Sequence, residues 1–410
     1  MTARVNGLIV PLVLAALLSS SVLPAFAQAG PADDPAAPSG RKGLAGHRRY
    51  ILGAVGLAIG AVPALFVPSQ SSDRRGTCAT RGCVTFLAGT MGAVAGYLMG
   101  RDMDRAAAAR AARGPELRLP TQRVELELVP ETVDAFESGA IVVGSEGIVM
   151  VDRDRTTRRG GTIRGVRAVA ALPAHDAMLA ATTSGIYSFA LSGSEGDGRL
   201  VLRGDGVALE PVAADQVVLS SSNLLRRLRL SGHGALLELT EEARLESDGL
   251  STAFAYAPQT GILWAVSGDR VVARTTQLEE IGSVALPAIG RTISLSGGRA
   301  LVAAGTAGLF LLDVQQPSAP RVLAQVRGIG FAFDAVLDGD TAYVAGGRAG
   351  LLVLDVTDPT APRVVGAASN LGFVSSVALA PDGQVYVTDR EGARLFVVQP
   401  RASGQAARER

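Results

Sequence analysis

An all-β, seven-bladed β-propeller of four-stranded blades, preceded by a signal peptide and an apolar helical hairpin, is the fold this 410-residue sequence predicts. Three observations predict it. A strand–turn–strand signature recurs seven times at spacings of 38 to 46 residues, the length of a four-stranded blade. Glycine, aspartate and two prolines recur at fixed places in the best-kept copies. One alternating strand without partners stands just before the first copy, where it can close a ring.

From the N-terminus, Arg4, the apolar run Leu8 to Leu18 and the small-residue site Ala25-Phe26-Ala27 read as a secretory signal peptide over 1–27. Its alternative is an uncleaved anchor. Residues 28–49, rich in Ala, Pro, Gly and Asp and ending in a basic cluster, read as a flexible linker. Two apolar segments then occupy 50–100. The second carries Gly92, Gly96 and Gly100 at four-residue spacing, which on a helix puts them on one face and lets two backbones approach closely. This pair resembles the glycine-zipper two-helix segments of bacterial envelope proteins, which implies membrane association. At 16 residues the second segment is shorter than the usual span of about 20, so a hairpin that packs without crossing is the alternative. Cys78 and Cys83 lie between the segments; two cysteines alone in an exported chain point to a local disulfide, and too few ligands surround them for zinc. Residues 101–119 read as a linker, 120–400 as the propeller and 401–410 as a disordered tail.

The repeats carry the strongest signal. Gly308-Leu-Phe-Leu-Leu-Asp313 with Pro317 and Pro320 returns 42 residues later as Gly350-Leu-Leu-Val-Leu-Asp355 with Pro359 and Pro362. Similar units surround Gly147 and Gly185, weaker ones centre near Asn223 and Asp269, and a last runs from Val385 to Val398. Each unit reads as an inner strand, a second strand, a tight turn, a third strand and a Pro-introduced outer strand. The turn glycines mark a positive φ or a close approach. Asp313 and Asp355 fit turn capping better than calcium ligation, since no clustered acidic loop accompanies them. Arg123 to Val129 is the orphan strand; joining it to the last unit would remove an exposed edge.

The Gly-Leu-x-x-x-Asp-Val-x-x-Pro-x-x-Pro pattern resembles the LVIVD-repeat family of bacterial β-propellers, best over 290–368 and more loosely across 120–400. The resemblance implies a surface-exposed or periplasmic repeat protein and carries no catalytic residues. Units three and four lack the glycine, aspartate and prolines, which leaves the blade boundaries between 200 and 285 open.

Composition narrows the chemistry. Residues 115–410 hold 27 Arg/Lys against 33 Asp/Glu, and the chain has a single Trp. An acidic domain without stacking platforms argues against nucleic-acid binding. Of three histidines, His47 falls in the linker, while His175 and His233 read as solvent-exposed turn residues rather than metal ligands. The glycine- and acid-rich stretch 193–206 reads as a surface hairpin, and Arg226-Arg227-Leu228-Arg229 as a basic strand face. No hydrolase, zincin or phosphate-loop motif occurs, and the sequence points to no catalytic, cofactor or metal residues. Expected inner strands are small and apolar, with Val133-Asp134 and Phe333-Asp334 as exceptions. The expectation is a non-enzymatic, exported envelope protein whose ring binds a protein or polymer. A channel enzyme of lactonase or quinoprotein type is the alternative.

Overall fold

The computed structural model describes residues 114–399, apart from 193–197, 223, 247–248 and the side chain of Arg159. The signal peptide, the linker 28–49, the hairpin with Gly92, Gly96 and Gly100, Cys78, Cys83, His47 and the tail 401–410 all lie outside the described residues. Among the described residues no helix is long and apolar enough to cross a membrane.

The described residues open with β1 (Thr121–Glu125) and then build seven four-stranded antiparallel sheets. Blade 1 contains β2 (Pro130–Phe136), β3 (Gly139–Gly144), β4 (Gly147–Asp152) and β5 (Thr157–Gly161). Blade 2 contains β6 (Val166–Leu172), β7 (Ala177–Thr182), β8 (Gly185–Ala190) and β9 (Arg199–Arg203). Blade 3 contains β10 (Ala208–Ala213), β11 (Gln216–Ser220), β12 (Leu224–Ser231) and β13 (Glu238–Glu246). Blade 4 contains β14 (Ser251–Ala257), β15 (Ile262–Ser267), β16 (Arg270–Thr275) and β17 (Glu280–Ala285). Blade 5 contains β18 (Thr292–Ser296), β19 (Arg299–Ala303), β20 (Leu309–Asp313) and β21 (Arg321–Val326). Blade 6 contains β22 (Asp334–Asp338), β23 (Thr341–Ala345), β24 (Leu351–Asp355) and β25 (Arg363–Ala368). Blade 7 takes β26 (Val374–Leu379), β27 (Val385–Asp389) and β28 (Arg394–Val398) from the C-terminus, and β1 from the N-terminus.

Every interface between neighbouring blades holds its own apolar cluster. Trp264 and Phe310 share the cluster between blades 4 and 5, and Met150, Met178 and Phe189 share that between blades 1 and 2. The same holds at the seam, where Val124 and Leu395 pack with Val133 and Val142. All six residues of β3 and of β7 are buried. A middle strand covered on both faces has no solvent side, so these segments read as continuous apolar runs rather than alternating ones.

Turn chemistry explains the repeated residues. Gly308 and Gly350 have φ of +83° and +79°, and a Cβ on either would overlap a carbonyl oxygen of the outer strand (Val326 or Ala368). Gly147 has no left-handed φ; there a Cβ would lie 2.6 Å from the Gly161 carbonyl oxygen, so close approach alone demands glycine. Asp313 accepts from the Gln315 N–H (3.1 Å) and from Arg321 (2.8 Å), and these contacts hold its carboxyl below the usual range. Asp355 does the same at Thr357 N–H, 2.9 Å away. Pro317 and Pro320, like Pro359 and Pro362, then frame the turn that leads into the outer strand.

Two features differ from the sequence reading. The closing strand is Thr121–Glu125 rather than 123–129, because its antiparallel partner β28 begins only at Arg394, opposite Glu125. Beyond that point Leu126 and Leu128 stay buried, but as a connection into blade 1. Residues 115–117, read as linker, run parallel to the outer edge of blade 6: Leu117 N–H donates to Ala367 (2.7 Å), Ala367 N–H donates to Pro115 (3.0 Å), and Glu116 binds Ser369.

Closure should therefore dominate stability. Val124→Asp places a charge in the cluster between blades 7 and 1 and is expected to cost about 3 kcal/mol or more in urea unfolding. Arg123→Gln, at an exposed position of the same strand, should change it by less than about 0.5 kcal/mol.

Candidate functional site at the ring axis and its entry face

The first strand of each blade borders the axis, and all seven run in the same sense. The loops entering these strands and the loops between second and third strands therefore share one face, called here the entry face. The loops after the first and third strands share the opposite face.

Strand register aligns the axis-lining positions. The residue paired with the third position of the second strand is Asp134, Ala170, Glu210, Ala255, Ser294, Val336 and Val377 in blades 1 to 7. Small and apolar side chains dominate this layer, yet two carboxylates occupy it. Asp334 lies two residues nearer the entry face, in the next layer. The sequence singled out Asp134 and Asp334. Glu210 was missed because blade 3 lacks the repeat residues that set the register.

These polar groups stitch neighbouring inner strands together. Glu210 accepts the Tyr256 N–H of blade 4 at 2.9 Å. At the equivalent position, Ser294 Oγ accepts the Leu337 N–H of blade 6 at 3.0 Å. Asp334 accepts from Ser376 Oγ (2.8 Å) and the Val377 N–H (3.1 Å) of blade 7, and Ser376 Oγ accepts the Val133 N–H of blade 1 (3.3 Å). An inner strand has a free edge whose N–H groups need acceptors; side chains from the preceding blade supply them.

Asp134 differs: among the described residues it accepts only from the N–H of its own neighbour Ala135, at 2.9 Å. It is half-buried, with protein on nearly every side. Desolvation pushes its carboxyl up to about 7, partly offset by the Ala135 N–H and reinforced by the charge of Asp334. Glu210 is pushed up to about 8 by the same burial, against the Tyr256 N–H and with the charge of Asp134 adding to it. Asp134 is thus coupled by charge to both Asp334 and Glu210. Chemically Asp134 and Glu210 can hold and release protons near neutrality.

The entry face carries the second feature. Phe331 and Phe333, leading into β22, pack with centroids 4.4 Å apart and planes tilted by 47°, and Phe333 meets Phe373, leading into β26, edge-on at 5.4 Å. Arg291 lies 5.5 Å over Phe331 and Arg348 lies 6.0 Å over Phe373. Arg348 also pairs with Glu391 at 2.6 Å. Phe331 is 36% exposed and Ile289, at the rim of blade 5, is 69% exposed. Ile289, Phe331 and Phe373 fall 42 residues apart, at one repeat position; the sequence reading missed this ledge, and that spacing is the signal that could have found it.

Other residues picked out in the sequence sit elsewhere. Gly147, Gly185, Gly308, Gly350, Asp313 and Asp355 belong to hairpins and turns away from the axis. The basic strand of Arg226, Arg227 and Arg229 is matched by the adjacent β13: Arg227 meets Glu242 at 3.2 Å and Arg226 meets Glu241 at 3.7 Å, while Arg229 reaches Asp215 at 2.8 Å. His175 and His233, 58 positions apart, come together on the opposite face. Among the described residues no group of three or more His, Cys, Asp or Glu side chains is placed to hold a metal ion.

The profile of the LVIVD repeat matches residues 289–327 and 329–369, which are blades 5 and 6 with their entry loops. No curated protein matches the chain. Among solved structures, the chain is similar to the β-propeller domain of Myceliophteria thermophila Cps50 (Swd1), with a TM-score of 0.57 and 12% identity over 69% of this chain and 100% of that one. It is similar also to the WD40 β-propeller domain of Doa1, with a TM-score of 0.55 and 12% identity over 70% and 99%. At such identity the likeness concerns the fold alone.

The axial carboxyls make stability pH-dependent in a stated direction. In the unfolded chain both ionise near 4, whereas the folded protein holds their protons to about 7 and 8. Their contribution is complete below pH 4 and is lost as pH rises through 7 to 8. Asp134→Asn combined with Glu210→Gln should therefore raise the melting temperature at pH 8.5 and leave it unchanged at pH 4. Parallel melts at the two pH values measure this; equal shifts at both would refute it.

Proposed function

We propose that the protein is a non-enzymatic, exported cell-envelope protein that presents its propeller as a scaffold for a protein or polymer. The observation that carries the binding role is the aromatic–arginine ledge on the entry face. Phe331 is exposed there beside Phe333 and Phe373, with cationic groups over the outer rings. Exposed aromatic side chains next to arginine supply the contact area and desolvated cation contacts that dominate binding surfaces. A propeller of seven interlocked blades offers a rigid platform for such a ledge. Export rests on the signal-like residues 1–27. Membrane association rests on residues 50–100, with Cys78 and Cys83 paired if their loop faces an oxidising compartment.

The enzyme alternative draws on Asp134, Glu210 and Asp334. Glu210 and Asp334 already serve as acceptors for neighbouring inner strands, which supports a structural use for two of the three.

Two measurements test the proposal. A reporter active only in the periplasm, fused after Gln399, should be active; activity only from a cytoplasmic reporter refutes the export. Photo-crosslinkers placed at the ledge of the full chain should capture a defined envelope component. That capture should fall at least tenfold in Phe331→Ser, Phe373→Ser, while the melting temperature stays within about 3 °C of wild type. Undiminished capture in the double variant would remove the ledge from the binding role.

A further inference from the structure

Two of the chain's three histidines meet on the face opposite the ledge. His175 ends the single 3-10 turn Pro173–His175 between β6 and β7, and His233 precedes the 3-10 turn Gly234–Leu236 between β12 and β13. They belong to adjacent blades, and their ring centroids are 5.8 Å apart with the planes tilted by 44°.

The backbone holds the His175 ring directly and the turn that carries His233. His175 Nδ1 lies 2.9 Å from the Gly232 carbonyl oxygen. A carbonyl only accepts, so Nδ1 carries the proton, and the lone pair of the neutral ring is on Nε2. An outer hydrogen bond of this kind fixes the tautomer of metal-binding histidines and raises their basicity. The carbonyl is itself fixed, because Gly232 has φ +89° and a Cβ there would lie 2.8 Å from the Leu236 carbonyl oxygen. On the other side of His233, Gly234 has φ +56°, and its carbonyl oxygen accepts the buried Ser188 Oγ–H of blade 2 at 2.7 Å. The turn that carries His233 is thus clamped onto the blade that carries His175.

We propose that His175 and His233 form a two-histidine site for one divalent transition ion of the zinc, nickel or copper class, bridging blades 2 and 3. An ion bound at about 2.0–2.1 Å to one nitrogen of each ring sets the centroids roughly 5–6 Å apart at an open tetrahedral angle. The observed separation falls in that range. Imidazole nitrogen selects these ions over magnesium or calcium. The neighbouring Asp176 is engaged by the Ser192 N–H and Oγ–H, so the described residues supply two ligands and water completes the shell. The site is open and the ion exchangeable.

The test uses the full chain and zinc chloride. Calorimetric titration should show one equivalent bound by wild type and by His47→Ala that is lost in His175→Ala and in His233→Ala. Saturating zinc should raise the wild-type melting temperature by several degrees and leave both site variants unmoved. His233 is exposed, so its replacement leaves the fold intact, and metal-free melts of each variant check this. Identical zinc uptake by wild type and His233→Ala would overturn the proposal, as would no uptake at all by wild type. Cobalt substitution adds a spectroscopic readout: bands of nitrogen and oxygen ligation support the site, whereas thiolate charge-transfer bands that persist in His233→Ala assign the ion to the cysteines.

Discussion

The antiparallel pairing of β1 with β28 is the interaction on which the other parts of this structure depend. A row of seven sheets packed face to face has two ends, each with an uncovered apolar face. Here the first strand of the domain becomes the outer strand of the last blade, so blade 7 cannot form without both ends of the domain. Only then does the seventh interface exist, with Val124, Leu395 and Tyr386 packed against Val133 and Val142. The hydrogen-bond relay from Asp334 through Ser376 to the Val133 N–H crosses the same seam at the axis. Closure is therefore held at the outer edge and again at the inner one.

The polar groups near the axis make sense in this light. Seven inner strands converge with one edge unpaired, and their N–H groups cannot all be left to solvent in a narrow space. Serine at 294 and 376, glutamate at 210 and aspartate at 334 each reach to the next blade and accept one of those N–H groups. A carboxylate in that role accepts as well as a hydroxyl does, but it brings charge into a place where burial raises its proton affinity. Asp134 carries that burden without a partner in the next blade.

The ring is not uniform, and its irregularities coincide with its surface features. Blades 5 and 6 keep the repeat residues, and with blade 7 they present the phenylalanine ledge. In blades 2 and 3 the short 3-10 turns Pro173–His175 and Gly234–Leu236 on the opposite face bring His175 to His233. The outer strands of blade 3 replace apolar alternation with a lattice of arginine and glutamate. Where the repeat is relaxed, charge and turn geometry take over part of its work.

Much of the architecture was legible in the residues themselves. The strand–turn–strand period, the glycines at 308 and 350 and the orphan strand before blade 1 all encode local constraints: a left-handed φ, a close carbonyl, an alternating face in need of a partner. Such constraints act within one hairpin or one strand, so a linear reading recovers them. Three things were decided only by tertiary structure. Glu210 joined the axial carboxyls because register, not local pattern, places it opposite Val218. Residues 115–117 became an added edge of blade 6 because Gly366 has no side chain to meet Pro115 and Leu117. His175 and His233 became neighbours because two turns 58 positions apart face each other across one blade interface. In each case the outcome rests on strand register or on contacts between different strands and blades, which no single strand or turn encodes.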